Sequence, residues 1–172
     1  MDTGIKFIEG RLAEDLIFTS NLFPKANRVA RTKFDVHRFR KVENSIQTST
    51  DDSHLLKFIH DFVWAIEELD LLIKNIDNSH NSFNKAVRHF KRKQQMVVFA
   101  LFIKASRCNI LRFDELKKIL VRLNELGVYP IKGKFGGIGN SKTRLIYSLI
   151  LVPILNNKTL LFLSLRIKNK HK

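Results

Sequence analysis

The sequence predicts an α+β fold that is mainly helical: a helical hairpin and a third helix, followed by a C-terminal antiparallel β-hairpin. Two long stretches, within 55–76 and 83–105, carry apolar residues at alternating spacings of four and three, the mark of amphipathic helices. A shorter stretch over 113–126 repeats that pattern and stops at Gly127, a common helix terminator. Two apolar runs, 144–153 and 159–167, flank Asn156-Asn157-Lys158. Because Asn tolerates the left-handed backbone of tight turns, they read as paired strands.

With 172 residues and 44% hydrophobic content, the chain is long enough to bury one ordinary core. Residues 1–45 read as an N-terminal helix and basic arm, and 46–172 as a single helical domain with C-terminal strands. The first long helix follows Asp51, Asp52 and Ser53, residue types suited to capping its N-terminus. Its apolar face runs through Leu55, Ile59, Phe62, Ile66, Leu69, Ile73 and Ile76. Trp64 falls on the opposite side, where packing beneath the N-terminal arm is preferred over a contact with another protein.

The second helix is predicted to return through "DNSH" with Phe83, Val87, Phe90, Val97, Leu101 and Ala105 on its apolar stripe, interrupted by Gln94. At about 100° per residue, Lys85, Arg88, His89 and Arg92 fall opposite that stripe. "VYPIKGKF" reads as a short strand after the third helix, and Pro153 as a strand end or edge.

Charge is abundant and segregated. Lys and Arg number 31 against 16 Asp and Glu, a net charge of +15, which implies a polyanionic partner. Between Lys25 and Lys41, seven basic residues face the single acid Asp35 and are interleaved with Phe34, His37 and Phe39. The sign reverses over 51–77, and no acid then occurs until Asp114. After Glu125 there is no carboxylate side chain, while nine Lys or Arg remain. The 51–77 helix supplies a net of only five negative charges, too few to neutralise the surplus. Glu67, Glu68 and Asp70 therefore read as a solvated face, or one paired with the neighbouring basic helix, rather than as an acid-base pair.

"GGIGNSKT", residues 136–143, departs from the phosphate-binding pattern G-x-x-x-x-G-K-[ST] only by Ser141 in place of the second glycine. Backbone amides, Lys142 and Thr143 would supply the phosphate and magnesium contacts. The missing downstream carboxylate argues against nucleotide hydrolysis, as does the strand-like continuation. A basic loop, turning between strands or touching a nucleic-acid backbone, is the preferred reading. The histidines at 37, 54, 60, 80, 89 and 171 form no H-x-x-x-H pair, and Cys108 reads as a small packed thiol. No cofactor, metal site or catalytic activity is expected.

The order of helix, "RFDELKKILVRLNELGVY" and paired strands over 97–167 is similar to the latter part of a winged-helix DNA-binding domain. It also resembles the helix-then-strands layout of some small-subunit ribosomal proteins. Both likenesses rest on layout, and neither assigns a family.

The chain is accordingly expected to be a non-enzymatic RNA-binding protein acting through phosphate contacts, as a ribonucleoprotein component or a small viral RNA-binding protein such as a silencing suppressor. The expected contacts are Arg28, Arg31, Arg38 and Arg40 on the arm, Lys85, Arg88, Arg92 and Lys93 on the helix, and Lys132, Lys134, Lys142 and Arg144 around the loop. Phe34 and Phe39 would stack on bases. A winged-helix DNA-binding regulator is the first alternative. A membrane-peripheral or tail-anchored protein is the second, disfavoured because Asn156, Asn157 and Lys158 would lie mid-membrane in a Leu145–Leu165 span. A protein partner or homo-oligomer through the helical surface is a further expectation. The acidic N-terminus and lone cysteine point to an intracellular rather than secreted protein.

Overall fold

The structure, a computed structural model, describes residues 4–26, 30, 33, 49–76, 83–132 and 146–169. Their regular elements are α1 (Glu14–Lys25), α2 (Asp52–Lys74), α3 (Phe83–Ala105) and α4 (Phe113–Glu125), then a π-helical turn (Tyr147–Leu151), α5 (Val152–Asn156) and α6 (Lys158–Asn169). No β-strand occurs among the described residues.

The predicted helical pair is present as α2 and α3. Their contacts run in opposite directions along the chain: Cys108 Sγ lies 3.6 Å from the Asp52 carbonyl oxygen, Gln94 Nε2 donates to the Ile66 carbonyl at 3.0 Å, and Lys91 meets Asp70. The helices are therefore antiparallel, and the "DNSH" connection lies outside the described residues. Asp51 caps α2 by accepting from the His54 N–H at 3.0 Å and from the Ser53 hydroxyl. These bonds hold its carboxyl below the ordinary carboxylate value.

The core combines Ile59, Ile66 and Leu69 from α2 with Val98, Leu101 and Phe102 from α3, all fully buried. Leu116 and Leu123 of α4 and Leu161 of α6 complete it. Each such aliphatic side chain contributes roughly 1.5–3 kcal/mol on leaving water. Gly127 ends α4 at φ 66°. The Val128 N–H returns to the Leu123 carbonyl at 3.1 Å and the Gly127 N–H to Asn124 at 2.9 Å. This pair of bonds defines a Schellman termination.

The side of α2 that carries Trp64 seats the N-terminal segment. Asp61 is buried and accepts from Arg11 Nη1 at 2.8 Å, the Leu12 N–H at 2.9 Å and Lys57 Nζ at 2.6 Å. Lys57 also donates to the Gly10 carbonyl. The Arg11 guanidinium lies 5.3 Å from the Trp64 ring centroid, so the indole packs against the segment that precedes α1.

The C-terminal β-hairpin is corrected: residues 146–169 are helical. Short apolar runs do not separate a buried strand from a buried helix by periodicity alone, and the tail is rich in leucine, a strong helix former. The asparagines mark a break between helices instead of a hairpin turn. Asn157 leaves helical geometry at φ −89° and ψ 109°, ending α5, and its Oδ1 accepts from the Leu160 N–H at 3.1 Å, capping α6. Pro153 sits in the first turn of α5, directly after the π-helical turn.

The predicted "VYPIKGKF" strand is also absent over its described part, 128–132. Asn156 instead clasps this segment, accepting from the Ile131 N–H at 2.7 Å and donating to its carbonyl at 2.8 Å. The Tyr129 hydroxyl donates to the Leu155 carbonyl at 3.1 Å. No helix among the described residues is long and apolar enough to cross a membrane, and the break at Asn157 interrupts the span that a tail anchor required.

Candidate nucleic-acid interface

The five cations from Lys85 to Lys93 divide by the direction that helical geometry gives them. Lys91 points to α2 and meets Asp70 at 3.2 Å. Lys93 points to α1, is half-buried and donates to the Ser20 hydroxyl at 3.1 Å. Lys85, Arg88 and Arg92 are exposed and make no ion pair among the described residues. Their spacing of three and four places them in one row spanning roughly 10 Å along the helix axis.

Gln95 lies next in that row, and the sequence reading passed it over. Its Nε2 donates to the Val128 carbonyl and its Oε1 accepts from the Lys132 N–H, both at 2.9 Å. One side chain thus fastens 128–132 to α3 and brings the exposed Lys132 beside the cations. Gln95 follows Arg92 by three residues, so Lys85, Arg88, Arg92 and Gln95 fall within about 80° around the helix. A polar residue continuing a cationic helical row was the available signal. Lys117 and Lys118 on α4 are also exposed without an ion pair among the described residues, and the selection from sequence omitted them.

Of the other sequence-predicted contacts, Arg28, Arg31, Phe34, Arg38, Phe39, Arg40, Lys134, Lys142 and Arg144 lie outside the described residues, as does the "GGIGNSKT" loop.

Several carboxylates are engaged within the fold. Asp70 pairs with Lys74 at 2.9 Å as well as with Lys91, Glu67 with Arg122 at 2.6 Å, and Glu115 with His60 at 2.8 Å. Burial raises the cost of ionising Asp61 and Asp70, yet their cationic hydrogen-bond partners outweigh it and hold both carboxyls below the ordinary value. The expected pairing of the acidic helix with its basic neighbour is thus realised at Asp70. Beside the row, burial first and the charges of Lys93 and Arg92 second press His89 below its ordinary value, favouring neutral imidazole.

A helix is present from Ile146, so the strand-like continuation no longer counts against a nucleotide site. Residues 128–132, the described segment before the loop, form no strand, whereas a P-loop joins a strand to a helix. The paired strands behind the winged-helix likeness are likewise absent among the described residues.

Comparison with protein-family models, with curated protein sequences and with solved structures finds no match to this chain.

Proposed function

We propose that the chain is a non-enzymatic, intracellular RNA-binding protein that grips the phosphate backbone along α3 and the segment fastened to it. The observation that carries this reading is the row Lys85, Arg88 and Arg92, extended to Lys132 by the two hydrogen bonds of Gln95. Exposed cations in line, with no ion pair among the described residues, suit a continuous polyanion, because each phosphate contact releases condensed counterions. The +15 surplus of the whole chain points the same way.

RNA is preferred to duplex DNA because residues 146–169, which a winged helix would need as paired strands, are helical. Phe34 and Phe39, interleaved with Arg38 and Arg40, are the residue types that stack on unpaired bases. Binding to single-stranded RNA, duplex RNA, duplex DNA and anionic vesicles across a salt series tests the reading. Single-stranded RNA is expected to bind tightest, with a log-log slope of roughly −4 or steeper if about six phosphates are contacted. A flat salt response, or equal affinity for vesicles, contradicts it.

A further inference from the structure

Next to the cation row lies a separate feature. α1, α2 and α3 enclose a groove of about 760 Å³, within the range of roughly 300–1,000 Å³ typical of small-molecule sites. Leu16, Phe58, Phe62, Met96, Val97 and Ala100 give it an apolar lining. The phenyl rings of Phe58 and Phe62 stand edge to face at 5.0 Å. Met96 is 39% exposed, which places a flexible, polarisable side chain where it is able to adapt to a guest.

Among the described residues that line this groove, Arg92 and Lys93 stand with Lys104 and His89, and Asp15 is the one carboxylate. The Lys104 ammonium lies 4.3 Å from the Phe58 ring centroid. Lys93 is half-buried, has the neutral Ser20 hydroxyl as a hydrogen-bond acceptor and meets no carboxylate among the described residues. Burial accordingly pushes its ammonium below the ordinary lysine value. A partly desolvated cation above an apolar floor gains most from an anion that carries its own apolar body.

We propose that this groove binds a fatty carboxylate: the acyl chain lies against Phe58, Phe62, Met96 and Ala100, and the head group meets Lys93 and Arg92. The site shares Arg92 with the phosphate row and otherwise uses residues outside it.

Submicellar dodecanoate titrated calorimetrically into the full chain tests this, with hexanoate and dodecyltrimethylammonium as comparisons. One dodecanoate is expected to bind per chain and raise the melting temperature. Hexanoate should bind far more weakly and the cationic amphiphile not at all. Lys93→Gln should weaken dodecanoate by about tenfold, the loss expected for one charge-assisted contact. Ala100→Trp should block the groove, and Met96→Trp, at a more exposed position, serves the same purpose if the first variant does not fold. Lys85→Gln should leave dodecanoate affinity unchanged while weakening RNA, so the two proposals fail separately. Absence of saturable binding, equal binding of the cationic amphiphile, or full affinity in a folded tryptophan variant would overturn the proposal.

Discussion

Arg11 Nη1 donates to the buried Asp61 Oδ1 at 2.8 Å across 50 positions of sequence. This contact, with the Leu12 N–H and Lys57 on the other carboxylate oxygen, ties the N-terminal segment to the middle of α2. Asp61→Ala should destabilise the fold by about 2–3 kcal/mol, because it removes charge-assisted bonds and leaves the Leu12 N–H without its acceptor. Arg11→Ala should cost about 1 kcal/mol, since Lys57 and Leu12 continue to satisfy the carboxylate. Urea unfolding midpoints check both values.

The same carboxylate sets an acid limit. Asp61 and Asp70 ionise below the ordinary value of 3.8 in the folded chain. Their stabilising contribution is therefore complete above that value and is lost as pH falls below it, where the unfolded chain binds protons first. Stability should fall as pH is lowered from about 5 toward 3, and less steeply in Asp61→Ala. A parallel decline in the two proteins would remove Asp61 as a cause.

Gln94 presents the opposite case. It is fully buried, and its Nε2 bonds the Ile66 carbonyl while its Oε1 has no partner among the described residues. An unsatisfied buried acceptor costs roughly 1–3 kcal/mol, more than one net hydrogen bond returns. Gln94→Met keeps similar volume and should raise stability by about 1 kcal/mol. Thermal and urea unfolding give the answer, and destabilisation would show that the Ile66 bond is worth more than the unmet oxygen costs.

The helical tail is held by Asn156, whose side chain satisfies both backbone groups of Ile131, and by the fully buried Leu161. Asn156→Ala should cost about 1–3 kcal/mol and Leu161→Ala about 2–5 kcal/mol. Backbone Cα and Cβ chemical shifts of the full chain should be helical over 146–169, and strand-like shifts at those residues would contradict the helical tail.

The central helices were legible because their periodicity agrees with burial: Leu55, Ile59, Ile66 and Leu69 were placed inward from spacing alone and are buried. Asp51 and Gly127 were similarly identifiable as terminators. The tail was not legible, because its apolar runs satisfy strand and helix templates equally and Asn157 punctuates either. Asp61 and Gln95 were missed for a different reason. Each acts through partners distant in sequence, Arg11 and Leu12 for one and Val128 and Lys132 for the other, and no local pattern reveals such a clasp. At the candidate interface, the side shared by Lys85, Arg88 and Arg92 followed from helical spacing. The inward turn of Lys91 and Lys93 depended on where α1 and α2 pack.

The proposal that phosphate is gripped along α3 is tested most directly by the salt dependence of single-stranded RNA binding in wild type and in the combined Lys85→Gln, Arg88→Gln, Arg92→Gln variant. At about 0.7 per phosphate contact, losing three contacts should flatten the log-log slope by roughly 2 and weaken all sequences alike. A folded variant with unchanged affinity and slope would contradict it.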